Sequence, residues 1–224
     1  MIICTVTCAD YIYKALVMAK TAKTEMPNVK VYLCLVEKEI PLILKENNLF
    51  DEIVLAKDLG IPNFEQFIFK HTNYEASIAV KGRYFKYLLR NLIFENEFIF
   101  LDPDIMILDS FTEIKEIFQS HSIILTPQIN QPMQTDEQVR DIELPHLLYG
   151  VYNLGFLGFK RDSDALKFID WYTHRLEFAC YTDINSGLFV DQKWVNLAPA
   201  FFETYILKHP GYNVASWNLS ERKI

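Results

Sequence analysis

Two aspartates, Asp102 and Asp104, flank a proline directly after the apolar run Phe98-Ile-Phe-Leu101. In extended backbone, residues two apart project to the same side, so both carboxylates face one point. Pro103 fixes its own φ and biases Asp102 away from helix. Two carboxylates converging at the end of a buried strand repel each other unless a cation lies between them. The cation that suits is hard and oxygen-seeking, Mn²⁺ or Mg²⁺, with coordination places left open for phosphate oxygens. D-x-D alone is weak evidence, because the chain holds a second copy, Asp162-Ser163-Asp164. That copy follows Lys160-Arg161 and precedes a helical face, so it reads as an N-cap and a first-turn acid. The apolar runs on both sides of Asp102-Pro103-Asp104 set the first pair apart.

Four further stretches carry side chains able to do chemistry, each with a plainer alternative. Thr7-Cys-Ala-Asp-Tyr11 ends one strand and opens a helix, where Asp10 also suits an N-cap and Tyr11 the apolar face. In Lys81-Gly-Arg-Tyr-Phe-Lys86, Arg83 and Lys86 are three apart and neighbours on a helix, as a solvated face would also have them. In Tyr152-Asn-Leu-Gly-Phe-Leu-Gly-Phe159, Gly155 allows close approach of a ligand, or marks a core strand. Asn153 is harder to explain as core, since a buried amide must be satisfied. In Gly187-Leu-Phe-Val-Asp-Gln-Lys193, Asp191 is either a ligand group or the cap of a helix that begins at Gln192.

The elements that must position these groups alternate through the first half of the chain. Residues 2–8 form a strand, Tyr11 to Ala22 repeat apolar residues at helical spacing, and Pro27-Asn28 ends that helix. Strand 29–36, helix 40–49 and strand 53–56 come next. Residues 63–92 are helical in two pieces parted near His71-Thr72-Asn73. After strand 98–101, Ser110 and Glu113 predict a capping box, followed by strand 123–126. Residues 130–146, polar and holding two prolines, predict a flexible loop. Strand 152–159 and a helix capped by Asp162 come after it, and residues 187–224 are aromatic and irregular. This order predicts one α/β domain over 1–224, with a mostly parallel central sheet flanked by helices.

Composition narrows the partners. The 224 residues carry a formal charge of -7, which argues against a nucleic-acid backbone as ligand. An anionic small molecule would need a metal or a local basic cluster. Half the chain is hydrophobic, with 17 Phe and 12 Tyr, enough for a sizeable core. Cys4, Cys8, Cys34 and Cys180 show no metal or disulfide spacing, which fits a reducing compartment. No apolar run reaches about 18 residues, so no integral membrane segment is expected. The expected location is cytoplasmic, with peripheral membrane contact left open.

Taken in order, the first strand, the D-x-D strand, the Y-N-x-G strand and the D-Q turn resemble the A-type glycosyltransferase fold. They are most similar to the retaining family that contains glycogenin and bacterial lipopolysaccharide galactosyltransferases. The resemblance implies a Rossmann-like nucleotide-sugar transferase domain. It implies a nucleoside-diphosphate sugar donor, a UDP-sugar, and a carbohydrate or glycoconjugate acceptor, with retention of configuration. Thr7, Ala9, Asp10 and Tyr11 would hold the nucleotide, the aromatic stacking on the base. Asp102 and Asp104 would hold Mn²⁺ or Mg²⁺, Asp102 also meeting the donor. Arg83 and Lys86 would bring positive charge to the donor, Lys86 standing where the family usually has Arg. Asn153 and Gly155 would meet the sugars, and Asp191 would bond the donor sugar. Gln192 would lie by the anomeric carbon, as a weak nucleophile or as a carbonyl stabilising positive charge. In the family a late histidine completes the metal shell. Here His209 or water takes that place, or the ligand lies beyond Ile224. Two rival readings stand beside this one. A nucleotidyltransferase would need a Gly-rich loop after the first strand, and residues 7–13 hold no Gly. A non-catalytic or incomplete sugar-nucleotide binder would explain the missing histidine.

Overall fold

The computed structural model describes residues 1–222 of the chain. Strand β1 (Ile2–Thr7) is buried along its whole length, which explains an apolar run without alternation in a strand covered on both faces. Helix α1 (Ile12–Glu25) turns Ile12, Ala15, Met18, Ala19 and Ala22 inward. With β2 (Lys30–Leu35), α2 (Leu42–Lys45) and β3 (Glu52–Leu55) it completes a parallel β-α-β-α-β unit.

The next helical stretch is in three pieces: α3 (Phe64–Phe69), α4 (Asn73–Ala79) and α5 (Lys81–Asn91). The break before α4 is a capping box in which Thr72 and Glu75 satisfy each other's backbone amides. Strand β4 (Glu97–Leu101) then pairs parallel to β1 on the side opposite β2. After it come α6 (Thr112–Ser120), β5 (Ile123–Pro127), α7 (Asp136–Gln138), α8 (Leu144–Tyr149), β6 (Tyr152–Lys160) and α9 (Ser163–Phe178). A small hairpin of β7 (Thr182–Asp183) and β8 (Leu188–Phe189) leads into α10 (Gln192–Val195), α11 (Ala198–Phe201) and β9 (Thr204–Ile206).

The main sheet runs β3-β2-β1-β4-β6-β5-β9. Its pairings are parallel except that β6 runs antiparallel to both β4 and β5. One apolar core joins a sheet face to α4, α5 and α9, and the other joins the opposite face to α1 and α6. Helices α5 and α9 touch at Gly82. A Cβ there would lie 2.6 Å from the Thr173 Cα, so only glycine lets the two backbones meet.

Three local expectations are corrected. Ser110 and Glu113 form no capping box: α6 starts at Thr112 without a side-chain cap, and the Ser110 amide donates to Asp109. The stretch 130–146 is helical from Asp136, through a π-turn at Val139–Glu143, because Thr135 caps it and Glu221 takes the Asn130 and Gln131 amides. The irregular tail supplies β9, an edge strand paired to β5. The second D-x-D is the cap it reads as, with Asp162 accepting from the amides of Asp164 and Ala165.

Candidate active site

A cavity of about 470 Å³ opens at the carboxyl ends of β1 and β4. There the chain order reverses, β2 lying on one side of β1 and β4 on the other, the place where open α/β sheets bind ligands. Its wall brings together Thr7, Asp10 and Tyr11 from the turn after β1, and Asp102, Pro103 and Asp104 from the turn after β4. Asn153 and Gly155 come from β6, and Asp191 and Gln192 from the turn after β8. The first turn of α4 adds Asn73 and Tyr74, and α5 adds Lys81. Ala9 lies on the same turn as Thr7 but serves its shape, its amide donating to Glu37 at 2.8 Å.

At the floor is an ion cluster centred on Lys81, which is 3% exposed. Its ammonium donates to Asp102 Oδ1 at 3.3 Å and to Asp191 Oδ2 at 3.1 Å, and lies 4.3 Å from the centre of the Phe100 ring. The Tyr172 hydroxyl donates to the same Asp191 oxygen at 2.7 Å. Burial works to lower the Lys81 pKa, but the two carboxylates outweigh it and hold the amine firmly protonated. Partial desolvation at the cavity floor pushes Asp102 up to about 6; Lys81 opposes the shift, while Asp191 and Asp104 add to it. Val190, just before Asp191, has φ 40°, a conformation β-branched residues seldom adopt. The surroundings that impose it fix the turn carrying Asp191 and Gln192.

Arg83 and Lys86 are not in the cavity wall. Arg83 pairs with Glu177 and Lys86 with Asp170, both on α9, the latter at 2.7 Å. Lys81 is the cation that sequence reasoning missed, although a signal was present. It lies three residues after Ile78, three before Tyr84, four before Phe85 and seven before Leu88, inside the buried stripe, whereas Arg83 and Lys86 sit on the opposite face. A lysine in an apolar stripe asks for buried carboxylates. Asn153 is also less free than its sequence context implies. Its Oδ1 accepts from the Gly155 amide at 2.8 Å and its Nδ2 donates to Gln128 at 3.2 Å. His209 turns to the outer side, its Nε2 3.7 Å from Glu113.

The donor set fits a divalent cation. Asp102, Asp104 and Asp191 face the cavity with Lys81 as the buried countercharge, and Lys14 reaches Asp104 from the solvent side at 3.7 Å. Asp102 Oδ1 is taken by Lys81, which leaves Oδ2 for a ligand. Among the described residues no three His, Cys, Asp or Glu side chains converge as a metal cluster. A cation at Asp102 and Asp104 would therefore take further oxygens from elsewhere, as Mg²⁺ and Mn²⁺ do with phosphates.

This architecture, a seven-stranded mostly parallel sheet with β6 reversed and helices on both faces, is similar in fold to solved glycosyltransferase structures. Solved structures with this fold include the bifunctional glycosyltransferase WbbM, at TM-score 0.56 and 10% identity, over 92% of this chain and 38% of that one. Glycosyltransferase GlyE of Streptococcus pneumoniae TIGR4 matches at TM-score 0.53 and 16% identity, over 92% of this chain and 44% of that one. Mouse xyloside xylosyltransferase 1 matches at TM-score 0.51 and 16% identity, over 92% and 84%. At these identities the likeness is one of fold. In sequence, the uncharacterized protein YfnF of Bacillus subtilis (strain 168) is 28% identical over 81 residues, 36% of this chain and 27% of that protein. The match thus spans little more than a quarter of that relative's length. No protein-family model matches the chain. Among the described residues no helix is long and apolar enough to cross a membrane.

Proposed function

We propose that this chain is a metal-dependent glycosyltransferase that moves a sugar from a nucleoside-diphosphate sugar, a UDP-sugar, to an acceptor hydroxyl with retention of configuration. The observation that carries this reading is the convergence on one cavity of the turn after β1, the Asp102-Pro103-Asp104 turn, the Asn153-Gly155 strand and the Asp191-Gln192 turn.

The nucleotide would lie against Thr7, Asp10 and Tyr11; Tyr11 is 41% exposed at the cavity mouth with the Lys14 ammonium 4.3 Å from its ring centre, so a base would stack on the opposite face of the ring. Asp102 and Asp104 would hold Mn²⁺ or Mg²⁺. Bound there, the cation supplies positive charge to a departing diphosphate. Lys81 adds a fixed ammonium at the cavity floor and keeps Asp102 and Asp191 in place. Asp191 takes both Lys81 and Tyr172 on Oδ2, which leaves Oδ1 to accept a hydroxyl of the donor sugar. Gln192 is oriented as well: its Nε2 donates to the Tyr149 carbonyl at 3.1 Å, so its Oε1 is the free end of the amide. A free amide oxygen beside the anomeric carbon would act there as a weak nucleophile or as a carbonyl stabilising positive charge. The acceptor, a carbohydrate or glycoconjugate, would approach past Gln192.

Thermal-shift titration with UDP, with and without Mn²⁺, followed by UDP release from a panel of donors, tests the proposal. Metal-dependent stabilisation and release with one donor are expected, with the product anomer read by NMR. Stabilisation without release from any donor and acceptor would instead identify a sugar-nucleotide binder without turnover. No stabilisation by UDP with metal would remove both the activity and the site.

A further inference from the structure

Asn213 lies seven residues beyond the end of β9 and has φ 49°, a left-handed conformation that asparagine tolerates. Its Nδ2 donates to the Asn153 carbonyl at 3.1 Å and to the Thr126 hydroxyl. A carbonyl can only accept, so this edge of the amide is the NH₂ and the orientation is fixed. The opposite edge, Oδ1, lies over Gly155. A Cβ added at Gly155 would sit 3.2 Å from Asn213 Oδ1 and 3.6 Å from Asp102 Oδ2. The Asn153 Oδ1, which already accepts from the Gly155 amide, would lie nearer still at 2.9 Å, so Gly155 keeps open a gap bordered by two amide oxygens and a carboxylate oxygen. Asp102 Oδ1 is already engaged by Lys81, and Asn213 Oδ1 accepts no hydrogen bond among the described residues. Two unshared acceptors across one gap call for a positive group between them.

The turn that presents Asn213 is held by buried polar groups rather than left as a free tail. Asn218, 1% exposed, donates to the Asn213 carbonyl at 3.1 Å and to the Gln128 carbonyl at 3.0 Å. Arg222, 5% exposed, donates to the carbonyls of His209 and Pro127, each at 2.7 Å. Supporting bonds of this kind fix a ligand atom to a small volume.

We infer that Asn213 Oδ1 is the third protein oxygen for the divalent cation held by Asp102 and Asp104. The inference rests on the metal-dependent reading above. An amide oxygen is a fitting third donor for a hard cation, and it adds no charge to a cavity already rich in carboxylates.

Mn²⁺ binding to the full chain, measured by electron paramagnetic resonance of the free ion with and without UDP, tests it independently of turnover. Asp104→Asn is expected to abolish binding, which checks the underlying reading. Asn213→Gly keeps a left-handed backbone and is expected to weaken Mn²⁺ binding about tenfold or more, with melting of the metal-free protein confirming its fold. Asn213→His replaces the oxygen with an imidazole and is expected to retain binding and add a directly bound ¹⁴N signal in spin-echo modulation. Wild-type binding that Asn213→Gly leaves unchanged, or Asn213→His binding without that signal, overturns the inference while sparing the metal reading. No Mn²⁺ binding by the wild type overturns both. Unchanged Mn²⁺ affinity with weakened donor binding would assign the gap to a sugar hydroxyl and likewise overturn it.

Discussion

Replacing Lys81 by Met removes the one ammonium that touches both Asp102 and Asp191 while keeping an unbranched side chain in the apolar stripe. Breaking a buried ion pair from one side costs about 3–5 kcal/mol when the stranded charge stays dry. Asp191 is 2% exposed and retains only the Tyr172 hydroxyl, so it suffers most of that penalty. The Asp102 side chain is 38% exposed and recovers part of its solvation from water in the cavity. The expected loss at pH 7.5 is therefore about 2–3 kcal/mol, below that range because Asp102 stays partly solvated. For a domain of this size that lowers the melting temperature by about 4–12 °C. Urea unfolding of the ligand-free protein, followed by circular dichroism, measures it. The cycle is completed with Asp191→Asn and with the double variant, in which the neutral amide no longer needs a cation. A coupling of about 2 kcal/mol is expected. Lys86→Met is the matched control on the same helix, and loss of its half-exposed pair with Asp170 should cost no more than about 0.5 kcal/mol. A Lys81→Met loss no larger than that of Lys86→Met, or strict additivity with Asp191→Asn, would refute the account of the site floor.

Two further expectations concern the frame. Gly82→Ala would bring a Cβ to 2.6 Å from the Thr173 Cα, forcing α5 and α9 apart, and should destabilise by about 1–3 kcal/mol in thermal melts. Because Lys81 and Tyr172 sit beside this contact, UDP affinity should fall with it; an unchanged melting temperature would show that the helices can give way freely. Glu75 is buried, which acts to raise its pKa, but bonds from the Thr182 and Thr72 amides and the Thr72 hydroxyl outweigh burial and hold it below the usual carboxylate value. A depressed carboxylate contributes stability that is present above the unfolded pKa and lost as pH falls through the folded one. Glu75→Gln should therefore flatten the decline in stability below about pH 4.5, and an acid limb identical to wild type would contradict that assignment.

The legible parts of this molecule are those in which neighbours in sequence are neighbours in space. The apolar run before Asp102 gives the strand, the i, i+2 spacing gives the convergent carboxylates, and Asp162 declares itself a cap by the helical pattern that begins just after it. The same local logic reads the β-α-β-α-β order and hence the parallel half of the sheet. It does not reveal that β6 reverses direction or that β9 joins the edge, because a strand's direction is set by the length and path of its connections. Nor does it see that Glu221 fastens residues 130 and 131 from 90 positions away, which is how a polar stretch with two prolines becomes ordered.

The site cations show the limit most clearly. Spacing shows that Arg83 and Lys86 share a helix face, but not whether that face looks inward. That question is answered by the rest of the helix: Tyr84, Phe85 and Leu88 turn toward the core and carry Lys81 with them. A charged residue in a buried stripe costs stability unless partners meet it, and here the partners come from the turns after β4 and β8, the latter 110 residues away. Asn213 shows the same pattern, since its amide acquires a direction only from the carbonyl of Asn153 and the hydroxyl of Thr126. In both cases the informative feature is a polar group placed where local pattern alone would call for an apolar one or a free loop. Such misfits, more than motif matches, mark the positions at which this chain gives up local stability for a shared site.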